Sequence, residues 1–137
     1  MAIVFQDSGC AKVLTEYFIT SGGALTLKLF ATNVAPADTD VAGTYTVASG
    51  GGYANKTLLA ASWAESNVGG IEQVAYADQV FTFTGPLTTN PTIYGYYVVD
   101  GAGTLIYSEA GTPFTPANNG DTYTVKPKFQ FSKGTPT

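Results

Sequence analysis

Thr92-Ile93-Tyr94-Gly95-Tyr96-Tyr97-Val98-Val99, then Asp100-Gly101-Ala102-Gly103, then Thr104-Leu105-Ile106-Tyr107-Ser108-Glu109, is the stretch on which the fold turns. Two runs rich in β-branched and aromatic residues flank a short loop carrying two glycines. Such runs fit a pleated sheet, and glycine permits the positive φ angles of a tight reversal. The stretch predicts an antiparallel hairpin, Thr92–Val99 returning as Thr104–Glu109.

Working outward, Leu25, Leu27 and Leu29 alternate with Thr26, Lys28 and Phe30, a period of two that describes a strand with one buried face. Thr44-Tyr45-Thr46-Val47 reads as a short second strand, and Gly50-Gly51-Gly52 separates it from a third over Tyr53–Leu59. Ile71–Ala77 and Gln79–Thr84 are further strands. Asn118-Asn119-Gly120-Asp121 is a turn leading into a last strand, Tyr123–Phe131, where Pro127 requires an edge position or a bulge. Ahead of all these lies the one helical pattern. Cys10, Val13, Leu14, Tyr17 and Phe18 form an apolar stripe opposite Lys12, Thr15 and Glu16, predicting a helix over about residues 8–20. Asp7 or Ser8 is the expected cap at its start and Gly22-Gly23 the expected left-handed stop.

Roughly seven or eight short strands with Gly/Pro turns imply a mainly β fold, an antiparallel β-sandwich or jelly-roll-like barrel with one N-terminal α-helix. The 137 residues fit a single domain, with a β core over about residues 24–131 and a loose tail at Gly134-Thr135-Pro136-Thr137.

Composition narrows the function. Charged residues are 12% of the chain, about half the usual ~25%, so its surface is unusually neutral and tolerant of protein contact. The net charge is −4 and the only cations are Lys12, Lys28, Lys56, Lys126, Lys128 and Lys133. A nucleic-acid binder concentrates cations on one face, so we expect no nucleic-acid partner. Ala2-Ile3-Val4-Phe5 is too short for a signal-peptide core, and Ser8-Gly9-Cys10 lacks the apolar run of a lipoprotein site. No stretch reaches the ~20 apolar residues of a membrane span, so no membrane is expected. The lone Cys10 allows no internal disulfide and fits synthesis in a reducing cytoplasm.

With no His, the commonest general base and every Ser-His or Cys-His pair are missing. Paired carboxylates are the remaining route to hydrolytic chemistry: Asp38/Asp40, Glu65/Glu72 and Asp78/Asp100. Ten acids on a small surface also produce such pairs by chance. Asp38-Thr39-Asp40-Val41-Ala42-Gly43 begins like a calcium loop, but Ala42 and Ser49 stand where ligands are needed. Gly101-Ala102-Gly103 lies between strands and is no dinucleotide fingerprint, and Asn55-Lys56-Thr57 matches a glycosylation acceptor without a secretory signal to support it. Tyr94, Tyr96, Tyr97 and Tyr107 are a sugar-stacking platform, cross-strand core pairs or, between these readings, part of a subunit interface. We assign no catalytic, cofactor-binding or metal-binding residue and expect no cofactor.

Leu25–Asn33, then Gly51-Gly52-Tyr53-Ala54-Asn55-Lys56-Thr57-Leu58, Trp63, Gln79–Thr84 and Ile93–Val98, in that order after an N-terminal helix, resemble small virion structural proteins of tailed bacteriophages over roughly residues 8–131. The resemblance implies a capsid decoration (cement) protein without catalytic residues. Its implied partners are its own copies, as a homotrimer, and the major capsid protein, and its location is the capsid surface. A tail, collar or baseplate component and a carbohydrate-binding host-attachment module using exposed Tyr or Trp63 are the alternatives.

Overall fold

The structure, a computed structural model, describes residues 6–131; the Ala2–Phe5 stretch, Lys133 and the Gly134–Thr137 tail lie outside the described residues. The fold is mainly antiparallel β with one N-terminal helix. That helix, α1, runs Asp7–Leu14 and continues over Thr15–Thr20 in a wider π form. The strands are β1 (Leu25–Phe30), β2 (Lys56–Leu58), β3 (Ala64–Val68), β4 (Ile71–Ala75), β5 (Gln79–Thr82), β6 (Ile93–Val99), β7 (Leu105–Phe114), β8 (Thr122–Val125) and β9 (Lys128–Gln130). They form sheets ordered β2-β1-β6-β7, β3-β4-β9 and β5-β8, with every pairing antiparallel.

The hairpin forms as its sequence requires, and β7 extends to Phe114. Its register slips twice. From the Ile93↔Phe114 pair to the Gly95↔Ala110 pair, β6 advances two residues while β7 advances four. The surplus at Gly111–Pro113 bulges out, and Pro113 is tolerated there because β7 is an edge strand.

Several expectations are corrected. Thr44–Val47 is no regular strand: a short 3-10 turn, Ala42–Thr44, is followed by a single bridge from Val47 to Phe30. The Tyr123–Phe131 strand is two strands in different sheets, because Pro127 has no N–H to continue a ladder. Ala64–Val68, unforeseen, pairs with β4; its exposed pattern carries no apolar alternation to reveal it. The helix starts at Asp7, so Gln6 rather than Asp7 or Ser8 holds the cap position, and the Gln6 side chain makes no cap hydrogen bond. It ends without a left-handed glycine. Instead the Ser21 N–H donates to the Glu16 carbonyl at 2.8 Å, and a Cβ on Gly22 would overlap the Tyr17 carbonyl. Gly22 is there for close approach.

The predicted stripe is split by burial. Cys10 and Leu14 (both 1% exposed) and Phe18 face the core with Ile19, whereas Val13 (45%) and Tyr17 (40%) turn to solvent. Phe18 packs on Trp63 and Phe129, with ring centroids 4.9 and 5.4 Å apart.

Two apolar clusters lie on opposite faces of the four-stranded sheet. The larger contains Leu25, Leu27, Leu29, Tyr96 and Val98, together with Leu14, Phe18, Trp63, Val74 and Phe81 from the other elements. The smaller contains Phe30, Tyr45, Tyr97 and Val99, with Val34 and Val47 packed against it. Phe30, expected on the polar face of β1, is therefore buried: the long segment after β1 folds back over that face.

Candidate functional site

Where β7 bulges, its outer edge separates from β8 and an open groove of about 590 Å³ remains. Its walls are Glu109–Thr112 on one side and Tyr123–Lys128 on the other, with Ala75, Tyr76 and Asp78 at one end. Tyr96 reaches its floor from β6. The Tyr96 hydroxyl donates to Glu109 Oε2 at 2.5 Å, which ties β6 to the β7 edge of the groove. Burial, then the hydrogen bond to Glu109, pushes the Tyr96 hydroxyl well above its ordinary range; Tyr107 beside it is raised chiefly by burial. Both hydroxyls stay neutral at any physiological pH. On the rim, Lys126 Nζ lies 3.8 Å from Asp78 Oδ2, a solvated pair that adds little stability. Aromatic rings beside carboxylates, ammonium groups and the hydroxyls of Thr112 and Thr124 can bind a polar ligand through stacking and hydrogen bonds.

The candidate carboxylate pairs behave differently from one another. Asp38 and Asp40 line one shallow cleft of about 340 Å³. Asp40 is committed to structure, accepting the Tyr45 hydroxyl at 2.6 Å and the Ala37 N–H at 2.9 Å, which hold its carboxyl below the usual range. Asp78 and Asp100 line different grooves, and Asp100 caps the hairpin loop by accepting the Ala102 and Thr104 N–H groups. Glu65 and Glu72 do meet. Glu72 is buried on β4 and takes the Asn67 side-chain amide at 2.5 Å. Hydrogen bonding to Glu72, then burial, then its like charge, raise the Glu65 carboxyl above its ordinary range. Neither lines the groove. Among the described residues no group of three His, Cys, Asp or Glu side chains could hold a metal ion.

The tyrosine platform does not exist as a surface. Tyr96 and Tyr97 point to opposite faces of β6, as strand neighbours must, and each is buried in a different cluster. Tyr97 stacks on Tyr45 with centroids 5.2 Å apart, Tyr107 meets Tyr96 edge-on at 6.1 Å, and Trp63 is buried. The groove's tyrosines are Tyr76, Tyr96 and Tyr123, and its carboxylates Asp78 and Glu109 form a combination the sequence did not pair. The only signal for it was Gly111-Thr112-Pro113, which breaks the alternation of β7 just after Glu109.

These features define a small, mainly antiparallel β domain with an open polar groove. No family model, no curated protein and no solved structure matches the chain.

Proposed function

We propose that the protein is a bacteriophage virion structural protein, a capsid decoration protein that binds the outer shell as a homotrimer, its sheets arranged as a sandwich of the jelly-roll kind. One observation carries the reading. Val13, Tyr17, Val41, Leu59, Val68, Ile71 and Val80 are exposed over a surface with few charges. Exposed apolar side chains on a weakly charged surface suit contact with other protein surfaces. The resemblance in the order of the β segments supplies the phage context. The test is co-sedimentation with phage heads lacking this protein, with sedimentation equilibrium for its mass. A trimer that pellets with heads is the expected result; a monomer that stays in the supernatant overturns it.

A second reading rests on the groove. Tyr76, Tyr96 and Tyr123 beside Asp78 and Glu109 suit a carbohydrate, as in a host-attachment module. A glycan array separates the two: binding lost in Tyr123→Ala favours this one, and silence across the array favours decoration.

A further inference from the structure

Helix α1 has two apolar faces, and among the described residues only one is packed against the rest of the chain. The inner face is filled by Cys10, Leu14 and Phe18. The outer face forms an almost wholly apolar shallow groove of about 530 Å³, lined by Gly9, Lys12, Val13, Glu16, Tyr17 and Ser21. Val13 and Tyr17 lie one turn apart along its centre, 45% and 40% exposed. Lys12 and Glu16 stand on one flank. They make no ion pair with each other, and lysine before glutamate at this spacing is the weaker order within a helix. The Glu16 carboxylate accepts the Ser21 hydroxyl at the last turn, which leaves oxygen lone pairs for a further donor.

We propose that this face binds the same face of a second copy of the chain, helix against antiparallel helix about a two-fold axis. The charges select that occupant. A two-fold axis crossing the helices between Val13 and Tyr17 keeps the charged flank on one side and reverses its order. Lys12 of each copy then faces Glu16 of the other. The patch is thus complementary to itself, as an isologous contact must be. Gly9 of one copy falls opposite Ser21 of the other, and these small residues let the helices approach while Val13 and Tyr17 interdigitate between them. A net charge of only −4 opposes the pairing little. The face is smaller than a standard interface, so the contact is weak and forms at high local concentration. It does not depend on the decoration reading, and a two-fold contact is distinct from the three-fold one proposed above.

Sedimentation velocity of the full chain up to about 1 mM tests it, since weak contacts become populated in that range. The wild type associates reversibly, and more weakly as salt is raised, because exposed charge pairs are screened. Val13→Glu abolishes association. Lys12→Glu alone, or Glu16→Lys alone, places like charges opposite each other twice and weakens association by about tenfold. The double variant Lys12→Glu/Glu16→Lys restores it, and an equimolar mixture of the two single variants associates more tightly than either alone. Circular dichroism checks that every variant keeps its helix; if Glu16→Lys frays, Lys12→Glu and the double variant still decide. A monomer throughout, or association unchanged by Lys12→Glu, overturns the contact. A trimer indifferent to all these charges also overturns it while leaving the decoration reading standing.

Discussion

β6 and β7 are two arms of one hairpin with opposite surroundings. Along β6, Ile93, Tyr96, Tyr97, Val98 and Val99 are buried, whereas β7 is exposed from Glu109 to Pro113. Both arms carry aliphatic and aromatic residues, so composition does not separate them. Position in the sheet does. β6 lies between β1 and β7, with the larger cluster on one face and the smaller on the other. Among the described residues β7 has no strand on its far side, and its bulge turns that edge into the groove. A strand covered on both faces carries stability, and an edge strand is left to carry contacts.

The largest test of this contrast is Phe30→Ala, which empties the smaller cluster beneath β6. It is expected to cost about 3–5 kcal/mol in denaturant melts, against less than about 0.5 kcal/mol for Thr112→Ala on the β7 edge. Equal losses would show that the second face of the sheet is not packed. The same logic divides α1. Leu14→Ala should cost about 2–5 kcal/mol, and Val13→Ala on the exposed face under about 1 kcal/mol, read from the same melts.

The β3-β4 hairpin sharpens the comparison from the electrostatic side. Glu65 is held above its ordinary pKa in the folded chain, so its favourable contribution is full below the unfolded value of about 4.3 and is lost as pH rises through the folded value. Glu65→Gln, a permanently neutral donor to Glu72, should therefore raise the thermal midpoint at pH 7 and leave it unchanged in acid. The gain is modest because Glu65 is exposed and its interaction is screened. Asp40 and Asp121, held below their ordinary range by the hydrogen bonds they accept, act with the opposite sign, so variant and wild type must be compared at each pH. A midpoint at pH 7 that falls or stays level would show that the carboxyls do not oppose each other. Lys126→Ala, which removes the ion pair at the groove rim, should shift stability least, within about 0.5 kcal/mol by thermal melt.

Much of the fold was legible because its signals are local. The period-two alternation of Leu25, Leu27 and Leu29 and the glycine-bearing loop after Val99 specify β1 and the hairpin without reference to the rest of the chain. Gly95 shows where local reading stops. A Cβ there would strike the Phe30 ring and the Glu109 carbonyl, so this glycine is set by neighbours across two strand pairings. The groove was illegible for the same reason: Tyr76, Tyr96, Glu109 and Tyr123 come from four strands or their connections, and no spacing links them.

By itself the sequence determined that this chain folds as antiparallel β behind one helix, because residue alternation and turn chemistry act over a few residues. The tertiary structure alone decided which face of each tyrosine is buried, that Pro127 sends two strands into different sheets, and that Val13 and Tyr17 are left outside while Leu14 and Phe18 go in. Those outcomes depend on what packs against each face. A strand or helix fixes the directions of its side chains, but burial is conferred only by partners distant in the chain.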